Sequence, residues 1–328
     1  MKKLLLCAAL LPLLPLLPVL ISTFVSFLFR VSFPVHASGI IVVTGANSGI
    51  GLAAAQHLSS LGYTVFGGAR SSQGLSSLPG NLIPLKLDVS VHADVVSAAE
   101  TVASYSQSHN LPFVALVNNA GSMRVNALEF VSVPDVEALF RTNVFGALDV
   151  TQQFLPLLRK SKGRVVMVSS VAGFVTAPLY GVYSSSKHAL EAISDALRRE
   201  VQHLGVSVSV VQPAYVKTAI GQKVDFVERG ASLVSTTGLR EGATREVVEA
   251  TYPHLYNEKA LRHKENEVKL GSSTTAVTDE AIAHAITSQY PKTRYRVARA
   301  GGMPAEALSW VMWSLPDRVK DFVVARKG

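Results

Sequence analysis

From residue 39 onward, short apolar runs alternate with stretches of helical periodicity. The apolar runs are continuous rather than interleaved with polar residues, which is typical of strands buried on both faces. Six strands are predicted: Ile40–Thr44, Tyr63–Gly67, Leu82–Leu87, Phe113–Val117, Arg164–Ser169 and Val206–Val211. Helices are predicted between them, one ending at Leu61 and others over about Val91–Tyr105, Val133–Leu158 and Tyr183–Leu204. Repeated strand–helix–strand units predict an α/β fold with a doubly wound parallel sheet, as one domain over residues 39–328.

The first 38 residues form a separate hydrophobic segment. Between Lys3 and Arg30 lie 26 residues without a charge, many of them Leu. As a straight helix they would extend roughly 39 Å, more than the ~30 Å hydrocarbon core of a bilayer. Three prolines, Pro12, Pro15 and Pro18, disfavour a regular helix. A kinked membrane span and a re-entrant hairpin are both open, and either would make residues 1–38 a membrane anchor.

A cleaved signal peptide is the alternative for this segment. Two lysines precede the apolar run, and Val35-His36-Ala37 has the small-x-small pattern of a cleavage site. The run is longer than an ordinary signal core and the pattern follows it at a distance, which favours a retained anchor. The expected location is a membrane, in a eukaryotic cell the endoplasmic reticulum or the lipid-droplet surface. With cleavage it would be the secretory pathway.

Composition and charge exclude several classes of protein. Charged residues make up 16% of the chain and hydrophobic residues 48%, which excludes a disordered chain, a coiled coil and a collagen-like repeat. The net charge of +8 divides into +3 in residues 1–38, zero in 39–289 and +5 in 290–328. A nucleic-acid-binding surface would need that excess on the folded core. No nucleic acid partner is therefore expected.

Cysteine and histidine usage gives no sign of a metal site. The only cysteine, Cys7, has no partner for an intramolecular disulfide or a cysteine-type zinc site. The nine histidines form no HxH or HxxxH pair. We therefore expect chemistry that needs no metal.

A glycine-rich segment, Thr44-Gly45-Ala46-Asn47-Ser48-Gly49-Ile50-Gly51, joins the first predicted strand to the first predicted helix. Glycines at such a junction let the backbone turn sharply and approach a pyrophosphate at the positive end of the helix. Because the turn follows a strand and opens a helix, it predicts a dinucleotide-binding site. The residues expected to contact the dinucleotide there are Gly45, Asn47, Ser48, Gly49, Ile50 and Gly51.

A second candidate site is a tyrosine and a lysine four residues apart, in Tyr183-Ser184-Ser185-Ser186-Lys187. On a helix this spacing brings the phenol and the ammonium to one face. A free tyrosine titrates near ~10, and a neighbouring cation lowers the pKa by favouring the phenolate. Lys187 is therefore expected to tune Tyr183 as a general acid/base.

Together these motifs resemble the short-chain dehydrogenase/reductase family. Its TGxxxGIG signature matches residues 44–51, its NNAG sequence matches 118–121, and its YxxxK pair has Ser170 thirteen residues upstream of Tyr183. The resemblance is close over about residues 39–220 and only in outline over 221–328. It implies a Rossmann-like domain that uses NAD or NADP to interconvert an alcohol with a ketone or aldehyde. Three segments resemble the retinol and hydroxysteroid dehydrogenase branch: Leu155–Leu158, Ser194–Arg198 and Leu315–Arg318.

The resemblance implies a catalytic role for four residues. Ser170 would hydrogen-bond the substrate oxygen, and Tyr183 would give or take its proton. Lys187 would hold the ribose and tune Tyr183. Asn143 would bind a water in a proton relay, although an interface Asn with a satisfied side chain is the alternative. The family spacing favours Ser170 over its neighbour Ser169, and Tyr183 over Tyr180.

The resemblance also implies further contacts to the dinucleotide. They are Asp88 and Val89 beside the adenine, Asn118, Asn119 and Ala120 after the fourth strand, Tyr183 and Lys187, and Val216 and Thr218 at the carboxamide and pyrophosphate. In the last of these motifs Ala214 replaces the family's glycine. Members of the family often dimerise through the helices that correspond to Val133–Leu158 and Tyr183–Leu204, so a homodimer is an expected assembly.

The choice of nicotinamide cofactor depends on the residues after the second strand. NAD enzymes place an acid there for the ribose 2′-hydroxyl, whereas NADP enzymes supply an Arg for the 2′-phosphate. The sequence Val65-Phe66-Gly67-Gly68-Ala69-Arg70 has no carboxylate and one guanidinium, which can bind a phosphate bidentately. NADP(H) is therefore favoured over NAD(H), and a solvated surface role for Arg70 is the alternative.

Both ends of the chain bear on the substrate. About sixty residues separate Thr218 from a helix near Asp279, which predicts a substrate lid over about 219–277. Over about 303–325, apolar residues at helical spacing with two tryptophans and flanking bases are typical of a helix at a membrane interface. Packing of this stripe on the core is the alternative. The expected substrate is lipophilic: a steroid, a retinoid or a long-chain acyl compound.

Two other functions are open. One is a non-catalytic, dinucleotide-binding regulator or scaffold at a membrane, which the complete catalytic set disfavours. The other is an NAD-dependent dehydrogenase of a small soluble alcohol.

Overall fold

A single sheet of seven parallel strands organises the chain in the computed structural model, which describes residues 28–218, 239–256, 273–300 and 302–325. The strands are β1 Ile40–Thr44, β2 Thr64–Ala69, β3 Ile83–Lys86, β4 Phe113–Asn118, β5 Arg164–Val168, β6 Ser207–Pro213 and β7 Arg294–Val297. Their order across the sheet is β3-β2-β1-β4-β5-β6-β7. This is the doubly wound, Rossmann-like arrangement that the strand–helix pattern predicts.

Strand β7 is the one sheet strand that the hydrophobic pattern did not reveal. It pairs in parallel with β6, placing Tyr295 beside Val211. Its four residues alternate between Arg294, Tyr295, Arg296 and Val297, and only Tyr295 is buried. A half-exposed edge strand with two arginines lacks the continuous apolar run that marks the central strands.

Helices cover both faces of the sheet. The helices that precede β6 in the chain are α1 Gly49–Ser60, α2 Ser72–Ser76, α3 His92–Ser108, α4 Val133–Phe140, α5 Ala147–Ser161 and α6 Gly181–Val201. Those that follow are α7 Arg245–Thr251, α8 Pro253–Tyr256, α9 Ala276–Thr287, α10 Ala305–Ser314 and α11 Asp317–Ala325. A short hairpin of β8 Arg299–Ala300 and β9 Met303–Pro304 lies between β7 and α10.

Successive side chains of the central strands enter opposite cores. Ile40 and Val42 of β1 belong to the core with α3, α5 and α6, while Ile41 and Val43 belong to the core with α1 and α9. All four are fully buried. Burial on both faces explains why these strands are continuous runs of Val and Ile rather than alternating sequences.

The prediction of one long helix over Val133–Leu158 is wrong in one respect, because a π-helical turn at Arg141–Gly146 separates α4 from α5. Such a turn adds a residue to the helical repeat and is frequent at functional sites. It contains Asn143, and it also brings Gly146 against β3's exit. A Cβ on Gly146 would lie 2.5 Å from the backbone oxygen of Val89, so only glycine fits this approach.

The predicted lid and both ends of the chain are described only in part. Residues 1–27, 219–238 and 257–272 lie outside the described residues, so most of the expected anchor and lid is not seen. The predicted break at Pro316 is present, since α10 ends at Ser314 and α11 begins at Asp317. Within the described ranges, no helix has both the length and the apolar character that crossing a bilayer requires.

A buried arginine ties the segment before β1 to the amino-terminal edge of the sheet. The guanidinium of Arg164, at the start of β5, donates to the carbonyl oxygens of Pro34 at 2.6 Å and Ser288 at 3.0 Å, and lies 5.3 Å from the centroid of the Phe33 ring. Burial lowers the pKa of Arg164 to about 10, which still leaves it charged at neutral pH. The hydroxyl of Tyr63 donates to the oxygen of His36 at 2.6 Å.

Replacing Arg164 by Met should lower the free energy of unfolding by about 2–4 kcal/mol, because the carbonyl oxygens of Pro34 and Ser288 lose their charged donor. The measurement is urea unfolding of the full chain in detergent. Arg159→Met, which removes an exposed arginine, is the matched control and should change stability by less than about 0.5 kcal/mol. Equal stability of the two variants would contradict the anchoring role of Arg164.

Candidate active site

The glycine-rich turn after β1 has the backbone geometry that its sequence predicts. Gly45 and Gly49 have φ angles of +65° and +56°, in the left-handed region that favours glycine. A Cβ on Gly51 would lie 2.3 Å from the oxygen of Gly45 and 2.4 Å from Nδ2 of Asn119. The three glycines therefore form a narrow cradle that any side chain at Gly51 would fill.

Thr44 and Asn119 clamp this cradle from the ends of two neighbouring strands. The hydroxyl oxygen of Thr44 accepts the backbone N–H groups of Asn119 and Ala120, each at 2.9 Å. The side-chain amide of Asn119 donates to the carbonyl oxygens of Thr44 at 3.0 Å and Gly45 at 3.2 Å. Thr44 was not among the predicted site residues. Its place as the first residue of the TGxxxGIG signature was the signal that could have identified it.

The residues around the cradle fit a dinucleotide. Helix α1 begins at Gly49, and its N-cap residue Ser48 makes no side-chain capping bond and has no acid in the first turn after it. The backbone N–H groups of that turn are thus available to an anionic group. Asn47 and Ser48 are exposed beside it, Ile50 is half-buried, and Thr218 contacts the position of Gly49, where a Cβ would lie 3.2 Å from the Thr218 Cβ.

The other predicted cofactor contacts form two groups. Some are exposed or half-buried at the strand ends, and others are buried among other parts of the protein. Arg70 is exposed directly after β2, and Ala120 and Val216 are half-buried at the strand ends. One carboxylate oxygen of Asp88 accepts the backbone N–H and hydroxyl of Ser90, at 3.0 and 2.6 Å. By contrast, Val89 belongs to the core and Asn118 is buried with its amide donating to Thr151 at 2.8 Å. For these two, only backbone atoms are left to face a ligand.

Tyr183 and Lys187 lie on one face of α6, as their spacing predicts. The ammonium of Lys187 is 5.7 Å from the centroid of the Tyr183 ring and donates to the carbonyl oxygen of Val168 at 3.0 Å. Burial lowers the pKa of Lys187 to about 8, and the Glu191 carboxylate opposes that change. Lys187 is therefore still mostly charged at neutral pH and loses its proton in mildly alkaline solution.

The pKa of Tyr183 differs from expectation, because burial raises it above the usual tyrosine value. A hydrogen bond with the side chain of Ser170 acts in the opposite direction but does not reverse the change. The predicted lowering by Lys187 assumed that the cation dominates. In the folded protein desolvation of the phenolate is the larger effect.

Ser170 stands directly after β5, opposite Tyr183. It caps the 3₁₀ turn Val171–Gly173, since its hydroxyl oxygen accepts the N–H of Ala172 at 3.1 Å. The competing residues lie elsewhere: Ser169 is buried, and Tyr180 packs with a separate apolar cluster. The structure thus brings Ser170, Tyr183 and Lys187 together at one strand end.

Asn143 sits in the π-helical turn and connects two parts of this site. Its side-chain amide donates to the carbonyl oxygen of Ser122 at 2.9 Å and to the hydroxyl of Ser186 at 3.1 Å, while its oxygen accepts the N–H of Ser122 at 2.8 Å. Ser186 donates in turn to the carbonyl oxygen of Tyr183 at 2.7 Å. Ser122 and Ser186 were not predicted, because no spacing in the sequence indicates these contacts.

A small apolar cluster lies beside the start of α6. Its buried members are Val125, Ala127, Phe130, Leu179, Val248 and Tyr256. The hydroxyl of Tyr256 donates to the side chain of Asn126 at 3.0 Å, and Arg240 donates its N–H to the oxygen of Phe130, so the described part of the predicted lid is docked here. Leu128 covers Gly181, where a Cβ would lie 2.8 Å from the leucine side chain.

Acidic and histidine side chains do not gather around the site. Over the part of the chain that the structure describes, no three His, Cys, Asp or Glu residues form a group that could hold a metal ion.

A family model described as short chain dehydrogenase matches residues 39–228. Among curated proteins, the chain is 34% identical over 269 residues to mitochondrial D-beta-hydroxybutyrate dehydrogenase of Mus musculus, covering 78% of this chain and 75% of that protein. It is 31% identical to 17-beta-hydroxysteroid dehydrogenase type 6 and 32% identical to retinol dehydrogenase 16, both of Homo sapiens. In each case 87% of both chains is covered.

Solved structures show the same fold. A short chain dehydrogenase from Burkholderia cenocepacia in complex with NADP superposes with a TM-score of 0.62 at 20% identity, covering 87% of this chain and 96% of that chain. A short chain dehydrogenase/reductase from Burkholderia phymatum in complex with NAD gives a TM-score of 0.60 at 26% identity, covering 75% and 86%. The chain therefore belongs to the short-chain dehydrogenase/reductase family, and within it to the branch of the retinol and hydroxysteroid dehydrogenases.

Proposed function

We propose that this protein is an NADP(H)-dependent oxidoreductase that interconverts an alcohol and a ketone or aldehyde on a lipophilic substrate. The observation that carries the proposal is the meeting of Ser170, Tyr183 and Lys187 at the end of β5, beside the glycine cradle after β1. A hydrogen-bond donor, a proton-transfer group and a cation thus share one crevice with a dinucleotide-type turn.

Each of these side chains has a role that its surroundings support. The bound nicotinamide would supply the hydride exchange with the substrate carbon. The Ser170 hydroxyl holds the substrate oxygen, and Tyr183 gives that oxygen a proton or removes one. Lys187 lies beside the Tyr183 ring and would hold the ribose of the nucleotide. Asn143 holds the loop at Ser122 against α6, and we also propose that it belongs to the proton relay that reaches Lys187.

Changing Tyr183 to Phe should lower kcat by about 10²–10⁴-fold, the usual contribution of a positioned acid/base. Affinity for NADPH, measured by fluorescence titration, should stay within about threefold, because the phenol is not the main binding group. The assay follows NADPH oxidation by the purified full chain with a panel of ketones and aldehydes.

Tyr180→Phe is the matched variant, since Tyr180 is the competing phenol three residues away. Substantial turnover in Tyr183→Phe together with its loss in Tyr180→Phe would reassign the acid/base. No turnover by the parent protein with any carbonyl compound, despite tight NADPH binding, would instead favour the regulator or scaffold.

The preference for NADP(H) rests on the end of β2. Arg70 is exposed there, and no acid occupies residues 65–72. A carboxylate at this place would repel a 2′-phosphate, whereas a guanidinium forms charge-assisted hydrogen bonds with it. Related structures bind NADP in one case and NAD in another, so the proposal depends on Arg70 itself.

Arg70→Ala should raise the dissociation constant of NADPH by about 10–100-fold, because a charge-assisted hydrogen bond is worth about 1.5–3 kcal/mol. NADH lacks the 2′-phosphate, so its dissociation constant should change less than about twofold. Isothermal titration of both nucleotides gives the comparison, with Arg159→Ala as an exposed control. Equal losses for the two nucleotides would make Arg70 a surface residue.

A lipophilic substrate is supported by the apolar cluster beside the start of α6 and by the names of two relatives, a hydroxysteroid and a retinol dehydrogenase. A third relative is named for hydroxybutyrate, a short polar acid, so the substrate range has to be measured.

We also propose a homodimer through the helices α4–α5 and α6.

Membrane association is supported from both ends of the chain. At the carboxyl end, Trp313 is 81% exposed and Val311 and Val319 are also exposed, while Met312 on the other side of α10 is buried. The helix therefore both packs on the core and presents an aromatic surface outward. At the amino end, the hydrogen bonds that Arg164 makes with Pro34 would be lost on cleavage after Ala37, which favours a retained residue 1–38 anchor.

The full chain should remain in the membrane fraction after carbonate extraction. Release of the chain into the supernatant would reject the anchor.

The ratio kcat/KM should rise by about tenfold or more along a series of ketones of increasing hydrophobicity, since each buried CH₂ contributes about 0.8 kcal/mol. A best substrate that is short and polar would reject the lipophilic class and favour the dehydrogenase of a small soluble alcohol.

A further inference from the structure

Glu191 is a buried carboxylate that none of the roles above uses. It lies one helical turn after Lys187 on α6 and is 7% exposed. One carboxylate oxygen accepts the side-chain amide of Gln212, on β6, at 2.9 Å. The other accepts the guanidinium of Arg294, on β7, at 3.1 Å. Removing a carboxylate from water is costly, and the bonds to Gln212 and Arg294 offset that cost for Glu191.

Glu191 also lies directly behind the turn that carries Ser170. A Cβ on Gly173 would be 3.0 Å from Cγ and 3.1 Å from Oε1 of Glu191. The side chain therefore packs against the 3₁₀ turn that Ser170 caps. One carboxylate thus touches the catalytic serine's turn, follows Lys187 on the same helical face, and is held by the two strands at the sheet edge.

We infer that Glu191 is a positioning residue for the reaction, which keeps Lys187 charged and supports the Ser170 turn from behind. The inference rests on the proposed function, because it assigns Glu191 a role through those two residues. The carboxylate does not reach the substrate itself. It acts through its charge on Lys187 and through its packing against Gly173.

The charges around Glu191 determine the sign of the effect. Lys187 and Tyr183 precede it on α6, and Arg294 faces it from β7. Arg294 is shared with Asp195, 3.0 Å away, which also binds Arg198. Glu191 and Arg294 line a cavity together with Arg296 and Lys320, and the latter two are paired with Glu306 and Asp317. Removing the charge of Glu191 leaves more positive charge near Lys187, so the ammonium should lose its proton at lower pH.

The test is Glu191→Gln, which keeps the shape of the side chain and removes its charge. Two pH profiles are measured on the full chain: kcat for ketone reduction, and the affinity for NADPH or NADH, whichever binds more tightly, by fluorescence titration. In both, the alkaline limb that reports Lys187 should move about one pH unit lower, the scale of a nearby opposite charge. Asp195→Asn, which removes the outer carboxylate on Arg294, is the control and should leave both limbs within about 0.3 unit.

If the limbs of Glu191→Gln coincide with those of the parent, the inference is overturned. Should that variant fail to fold, the neutral double variant Glu191→Gln/Arg294→Gln is compared with the parent, since removing both charges of a buried pair is better tolerated than removing one. A lower limb in the double variant supports the role, and equal limbs overturn it. A parent without turnover would reject the proposed function, while a shifted binding profile would still support the action of Glu191 on Lys187.

Discussion

Burial of both faces of the parallel sheet is the constraint on which the rest of this structure depends. Side chains of β1 alternate between two apolar cores, so the strands at the centre of the sheet carry mostly apolar side chains. The residues of the predicted site lie where the strands end and the loops begin. The glycine cradle, Ser170 and Thr218 all lie at the carboxyl ends of the strands for this reason, although they are up to 173 positions apart in the sequence.

The catalytic end contains more buried polar groups than its four expected residues. Lys187 bonds to the end of β5, Asn143 bridges Ser122 and Ser186, and Glu191 bonds to β6 and β7. Each of these groups is paired, which offsets the cost of removing it from water. Pairing also restricts their geometry, so the side chains of the predicted site are held by contacts from several elements rather than by α6 alone.

Different groups lie at the two ends of the parallel strands. At the amino-terminal ends of the strands, Arg164 donates hydrogen bonds to the carbonyl oxygens of Pro34 and Ser288. These bonds hold the segment that joins the hydrophobic amino end of the chain to β1. The predicted site residues lie at the opposite, carboxyl ends of the strands, and the apolar cluster that contains Phe130 and Tyr256 lies beside the start of α6. The helices α10 and α11 follow β7 and carry the exposed Trp313. The contacts of Arg164 and the predicted site residues are thus separated by the length of the strands.

The sequence by itself determined the fold class, six of the seven sheet strands, the glycine turn and the spacing of Tyr183 and Lys187, because these depend on local periodicity and on residues near one another in the chain. It did not reveal β7, whose arginines hide its pattern, or the π-helical turn around Asn143. Only the tertiary structure decided that Thr44 clamps Asn119, that Glu191 stands behind Ser170, and that desolvation raises the pKa of Tyr183. Those outcomes depend on distances and dielectric surroundings between residues far apart in the chain, which no spacing within a segment encodes.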